Sequence, residues 1–230
     1  MRTEALNDGV LLHRDAPTSR NDRDLIKLPE PAADGGMPLL QTLKLRHTVR
    51  EFSNISLPLG VISELLWAAF GVNRRQTGGR TAPSAHEWHE IEIYIATGEG
   101  LYLYDAHGHA LRQILARDIR IDTGLQPFVA DAPVNLVYVA DYSRMADAQE
   151  VDRVIYSATD TGFISQNVYL YCTSAGLATV VRGLVPRQEL AKLMKLRPSQ
   201  RVILAQSVGY PAIHRSLTDK PASRANGGHP

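Results

Sequence analysis

A helical spacing of apolar residues persists in this chain from about Ala148 to Ala175, well beyond the about three to four turns of an average helix. Val151, Val154, Ile155, Ala158, Phe163, Ile164, Val168 and Leu170 recur at helical intervals, and Gly176 supplies the stop. Such a length predicts a spine or interface helix around which the other elements are arranged. Upstream, Pro38 followed by Leu39, Leu40, Leu43 and Leu45 predicts a short helix. Ser56 opens a stronger one, with Pro58 early and Ile62, Leu65, Leu66 and Ala69 at helical spacing, ended by Gly71 in the place of a left-handed cap.

The remaining periodicities are those of strands. Residues 91–96 alternate like a half-buried strand, and Gly98-Glu99-Gly100 turns the chain into Leu101–Tyr104, which gives a hairpin. A short helix is expected near 109–117. Val134–Ala140, apolar almost throughout, reads as a central strand. After the long helix come a strand at Leu177–Val181, a helix from Pro186 and a strand at Arg201–Val208. Helices and strands interleave without the regular alternation of a doubly wound sheet, so the fold class is α+β. Residues 1–36, ending in Pro29-Glu30-Pro31 and Gly35-Gly36, read as an irregular arm. Residues 37–215 form the packed domain, and 216–230 a polar tail.

Bulk properties narrow the classes of function. Lys+Arg and Asp+Glu number 25 and 24, so the overall charge favours neither a nucleic-acid nor an anionic-membrane partner. Cys172 stands alone and can form no internal disulfide or cysteine-based zinc site. No apolar run reaches the roughly 18 residues of a membrane span, and residues 1–30 lack the apolar core of a secretory signal. A soluble, cytoplasmic protein is expected.

Three segments could carry chemistry. Arg46-His47-Thr48-Val49-Arg50-Glu51-Phe52 follows the first helix. If extended, it points Arg46, Thr48 and Arg50 to one side. Two guanidinium forks and a hydroxyl then make an anion site, the alternative being a solvated basic turn. Thr81-Ala82-Pro83-Ser84-Ala85-His86 is a run of small residues that lets backbone amides approach a flat ligand, or else an ordinary loop. In Gly176-Leu177-Ala178-Thr179-Val180-Val181-Arg182-Gly183 an amide beside Gly183 could face a ligand edge, or the segment could serve only as a helix cap and strand.

Taken together, in this order, the three segments resemble the nitroreductase family. Leu66-Trp67-Ala68-Ala69-Phe70-Gly71-Val72, Arg80–Ala85, Glu92-Ile93-Tyr94-Ile95 and Gly100–Asp105 are similar to the branch of SagB/ThcOx-type, azoline oxidase-like dehydrogenases. The resemblance covers roughly residues 38–212. It implies a mainly antiparallel sheet flanked by helices, and a homodimer with FMN bound between its subunits. Arg46, His47, Thr48 and Arg50 would hold the phosphate and the pyrimidine end of the ring, with Arg50 at the N1–O2 edge, where a fixed cation favours acceptance of hydride. Pro83, Ser84, Ala85 and His86 would approach from the other subunit. Val181, Arg182 and Gly183 would lie near N5, and Lys220 and Arg224 would join the phosphate site.

By proximity in sequence, Trp88, Phe128 and Arg182 are expected to line the substrate slot. The chain departs from its relatives at Glu87-Trp88-His89-Glu90, where many carry Asn, Gln and Pro, and it lacks the Lys-x-Tyr pair of azoline oxidases. No metal is expected, because His86 and His89 are three apart at a strand entry, whereas a zinc helix needs a spacing of four. Gly98-Glu99-Gly100 sits in a hairpin and is no dinucleotide fingerprint. Tyr156, Tyr169, Tyr171, Gln166 and Asn167 read as packing or interface residues, and Cys172 as a core thiol. The implied activity is NAD(P)H-dependent reduction of a small acceptor such as a nitroaromatic or quinone. The alternatives are an oxidase or dehydrogenase tailoring a peptide or small metabolite, and a flavin-binding dimer without turnover.

Overall fold

Strands of both hydrophobic phases build the centre of the molecule, which a computed structural model describes over residues 25–212. The elements run β1 (Leu25–Lys27), α1 (Leu39–Leu45), α2 (Leu59–Phe70), β2 (Val72–Arg74), β3 (Gly79–Arg80), β4 (Ile91–Thr97), β5 (Gly100–Asp105), β6 (Ala110–Leu115), β7 (Val134–Asp141), α3 (Glu150–Ser174), β8 (Ala178–Arg182), α4 (Arg187–Leu193) and β9 (Gln200–Gly209). Seven strands form one sheet in the order β1-β6-β5-β4-β7-β9-β8, while β2 and β3 make a separate small hairpin. Every pairing in the large sheet is antiparallel. The fold is α+β, with a mainly antiparallel sheet flanked by helices and one helix of 25 residues.

Alternation along the central strands assigns the two faces. Ile91, Ile93 and Ile95 of β4, with Leu136, Tyr138 and Ala140 of β7, pack with Leu65, Leu66 and Phe70 of α2 and Ile164, Val168 and Cys172 of α3. Tyr94, Ala96, Val137 and Val139 face the other way, toward Leu190 and Met194 in and after α4. Covered on both sides, β7 is buried at every position, which is why it reads as an unbroken apolar run.

Several sequence expectations change. Ala110–Leu115 is a strand and not the helix expected at 109–117, because it pairs with β5 from Leu101↔Leu115 to Asp105↔Ala110 and these non-local hydrogen bonds override its weak local preference. Leu25–Lys27, inside the stretch read as irregular, pairs with β6 at the sheet edge. Gly71 ends α2 in extended backbone, φ −71°, and not in a left-handed cap. Glycine is needed there because a Cβ would come within 2.5 Å of the Trp67 side chain. Gly176 after α3 does take the left-handed cap, at φ +68°.

Two helices leave apolar faces uncovered within the chain. In α1 Thr42 is buried, while Leu39, Leu40, Leu43 and Leu45 are 62%, 81%, 47% and 46% exposed. On α3 the expected apolar face divides: Ile164 and Val168 are buried, whereas Val151, Val154, Ile155 and Phe163 are exposed. Among the described residues no helix is long and apolar enough to cross a membrane.

Candidate functional site

The basic segment after α1 runs beside β8, where the Val49 amide donates to the Thr179 carbonyl at 3.1 Å. Its side chains meet a residue of α3. Thr48 Oγ1 lies 3.1 Å from the Tyr169 hydroxyl, which also accepts the Val181 amide at 3.0 Å. The Arg46 guanidinium sits over the Tyr169 ring, 5.2 Å from its centroid, within the range of a cation–π contact. Tyr169 therefore joins two of the three segments singled out from the sequence, Arg46–Arg50 and Val181–Gly183. Of Arg46, Thr48 and Arg50, expected to point to one side, Arg46 and Thr48 reach this same tyrosine. His47 and Arg50 are exposed, with His47 Nδ1 2.8 Å from the Leu45 carbonyl. Gly183 is exposed, and a Cβ there would meet only Leu204, at 3.9 Å.

The Pro83–His86 segment lies elsewhere on the same helix. Asn167 donates to the Thr81 carbonyl at 3.3 Å, and the Ala85 amide donates to Asp160 at 2.9 Å. Asp160 and Tyr169 are nine residues apart on α3, hence about 13.5 Å along the axis and about half a turn around it. One chain thus separates the basic segment from the Pro-Ser-Ala segment. Beyond Ala85 the backbone enters a left-handed run at His86, Glu87 and His89, with φ of 50°, 56° and 46°. The His86 ring stacks on Trp88 at 4.5 Å and meets Tyr156 edge-on at 5.9 Å, while the His89 ring meets Phe70 at 6.0 Å. Burial and the Arg80 charge hold the His89 imidazole below its usual range.

Arg182 requires a correction. Proposed from sequence as a slot residue, it is 2% exposed, and its guanidinium donates to Ser207 Oγ (3.1 Å), the Thr123 carbonyl (2.8 Å), Thr123 Oγ1 (3.2 Å) and Asn135 Oδ1 (3.0 Å). Alternation turns it into the sheet, opposite to Val181, so it braces β8 against β7 and β9 instead of meeting substrate. Among the described residues no carboxylate accompanies it in this cage, and burial lowers the Arg182 pKa to about 10. Phe128 is half-buried and packs at 6.1 Å against Phe52. Trp88 is half-buried and lines an open cleft of about 1070 Å³ with Phe70, Arg80 and Tyr104. Lys220 and Arg224 lie outside the described residues.

Two other groups have the look of reactive centres and are built otherwise. Ser63 Oγ stands 2.7 Å from His109 Nε2, whose Nδ1 is 3.0 Å from the Tyr104 hydroxyl, but Ser63 is fully buried and donates to the Pro29 carbonyl at 2.6 Å. This arrangement ties the residues after β1 to α2 and β5. Cys172 is fully buried, and burial pushes its thiol well up, so it is unreactive.

The model of the Nitroreductase family matches residues 43–210, a span that contains all three segments and the sheet from β4 to β9. The chain belongs to the nitroreductase family. It is 32% identical over 177 residues to a candidate nitroreductase of Methanocaldococcus jannaschii, an alignment covering 70% of this chain and 89% of that protein. The crystal structure of a candidate nitroreductase from Ralstonia eutropha JMP134 is similar at 46% identity and TM-score 0.80, over 90% of this chain and 97% of that one. The Escherichia coli microcin synthetase McbBCD complex with truncated pro-MccB17 bound shares the fold at TM-score 0.64 and 17% identity, over 91% of this chain and 85% of that one. The fold and family define an oxidoreductase of the nitroreductase type.

Proposed function

We propose that this protein is an FMN-dependent oxidoreductase, a cytoplasmic homodimer that takes electrons from NAD(P)H and passes them to a small acceptor such as a nitroaromatic or quinone. The observation that carries this reading is the junction at Tyr169, which fixes the cationic segment Arg46–Arg50 beside Val181–Gly183 at the sheet edge. The donor set fits a flavin nucleotide. Arg46, His47 and Arg50 offer cationic or imidazole donors of the kind that match a phosphate and the polar edge of the ring. Space beside Gly183 is open enough for a ring edge to approach the backbone.

When bound, the flavin would supply the hydride-accepting and hydride-donating chemistry. The chain's own residues position and polarise. Arg50, exposed at the end of the segment, would place a fixed charge where negative charge develops on reduction. Thr48, held by Tyr169, fixes the course of the backbone between the two arginines. Trp88, which lines an open cleft, would be the slot residue for donor and acceptor.

A second copy is needed on two grounds. Pro83–His86 lies across α3 from the basic segment, so a composite site would take one segment from each subunit. The leucines of α1 and, on α3, Val151, Val154, Ile155 and Phe163 are exposed apolar residues of the kind that an interface covers. Steady-state oxidation of NADH and NADPH with menadione or nitrofurazone tests the reading. It predicts parallel double-reciprocal lines, as for two substrates that occupy one place in turn. A yellow protein without turnover would favour a flavin-binding role instead.

A further inference from the structure

Two carboxyl groups that take no part in the proposed electron transfer hold the strained turn at Ser84–His89 from below. Glu90, at the threshold of β4, is fully buried, and Asp160 on α3 is 2% exposed. Asp160 Oδ2 accepts the Ala85 amide at 2.9 Å. The Ser84 hydroxyl donates to Glu90 Oε2 at 3.2 Å and accepts the His89 amide at 2.9 Å. Glu90 Oε1 is buried and has no donor among the described residues. Above this base the backbone is left-handed at His86, Glu87 and His89. Side-chain-bearing residues adopt that conformation only where their surroundings over-determine it.

Glu90 and Asp160 tie neighbouring residues of one turn and lie within side-chain hydrogen-bonding reach of each other, so if both were ionised two like charges would lie close together away from water, one with an oxygen unsolvated. Among the described residues no cation pairs with either. Arg144, from the turn after β7, directs its guanidinium to the His89 carbonyl (2.6 Å) and to Glu92 (2.8 Å), and Arg80 directs its own to the Phe70 carbonyl (3.0 Å). On α3 the nearest arginine, Arg153, donates to the Met145 and Ala146 carbonyls, each at 3.1 Å. The His89 ring faces Phe70 and the His86 ring faces Trp88. A neutral Glu90 removes the conflict, because its hydroxyl becomes the donor that the pair lacks.

We infer that Glu90 and Asp160 share one proton at the base of this turn, given by Glu90 Oε1 to the Asp160 carboxylate, and that Glu90 is thereby the positioning residue for the Pro83–His86 segment. What that segment touches rests on the flavin reading; the proton pair itself does not. Burial pushes the Glu90 carboxyl up to about 7, and the Asp160 charge acts in the same direction. The tie is therefore made on the acid side of neutrality and released above it. Glu90→Gln keeps it at all pH, since an amide accepts from Ser84 and donates to Asp160 without titrating.

The test uses the full chain, first without FMN. Amide hydrogen exchange over residues 84–90 is compared between wild type and Glu90→Gln at about pH 6 and about pH 8.5, so that intrinsic exchange rates cancel within each pH. The two proteins should be equally protected at the lower pH, and wild type should lose roughly tenfold relative to the variant at the higher. Equal protection at both overturns the inference. Should Glu90→Gln fail to fold, infrared absorption of wild type decides: a protonated-carboxyl band that disappears across neutrality supports the pair, and its absence at about pH 6 overturns it. FMN titration by fluorescence quenching then reads the positioning role. Affinity that falls in wild type but not in Glu90→Gln at the higher pH supports it, and affinity indifferent to both contradicts it. Failure to bind FMN under any condition, with the exchange result as expected, sinks the flavin reading and leaves the proton pair standing.

Discussion

Tyr169→Phe is the sharpest probe of how the fold builds the candidate site, because it removes one oxygen from a buried ring. That oxygen accepts the Val181 amide at 3.0 Å and meets Thr48 Oγ1 at 3.1 Å, and Tyr169 itself is 7% exposed. The ring, its packing and its contact with Arg46 remain. Thr48 is half-buried and its hydroxyl can turn to water, so its loss contributes little. The Val181 amide, at a half-buried position of the edge strand β8, loses its acceptor, and leaving such a donor without a partner costs up to about 1–3 kcal/mol. A loss of about 2 kcal/mol corresponds to a fall in Tm of about 4–8 °C for a chain of this length. Urea unfolding should show a lower midpoint at unchanged slope. If the junction sets the course of Arg46–Arg50, FMN affinity should fall as well, by roughly tenfold for each 1.4 kcal/mol of lost organisation. Thr48→Val should be less than additive with Tyr169→Phe, since the two side chains share one contact. An unchanged midpoint together with unchanged FMN affinity would refute the reasoning.

Four further outcomes are expected. Folded Glu90 keeps its proton until about pH 7 whereas its ordinary value is 4.5; the unfolded chain thus binds fewer protons in that window, and stability falls as pH rises through it, by at most about 3 kcal/mol at about 1.36 per pH unit. Urea midpoints of Glu90→Gln should gain on wild type by up to that amount across the window, and parallel curves would contradict the assignment. Arg182→Lys keeps a charge but cannot span the four acceptors around Arg182, so a loss of about 3 kcal/mol or more is expected in urea unfolding. Phe163→Glu places a charge at an exposed apolar position of α3 and should give a monomer in light scattering; a persisting dimer would move the interface elsewhere. Arg50→Ala should weaken FMN retention and slow flavin reduction in stopped flow, with little change in Tm because the side chain is exposed.

Much of the architecture was legible because its signals are local. The alternation of Ile91, Ile93 and Ile95 announces β4, and the helical spacing of Ile62, Leu65, Leu66 and Ala69 announces α2. The strand β6 carries little local signal, because Ala110, Leu111, Arg112 and Gln113 have no β-branch and their state is set by pairing with β5. The strand β1 consists of three exposed residues in a charged stretch and has no pattern to read. In the site, the segments Arg46–Arg50 and Pro83–His86 show in composition alone. Tyr169 did not, since a tyrosine on a long helix reads as packing until the helix is laid against β8. Glu90 was hidden for a similar reason: it alternates with Glu92 as though both faced solvent, and only Asp160 and Ser84 arriving from other parts of the chain reveal a buried carboxyl. One signal for Arg182 was available, in that a strand flanked by apolar residues on both sides buries whatever occupies its inward positions.

The absorption spectrum of the purified full chain, recorded before and after denaturation, tests the central claim most directly. The account predicts the two visible bands of a bound flavin, with FMN released in stoichiometric amount on unfolding. A colourless protein that leaves the fluorescence of added FMN unquenched would contradict it.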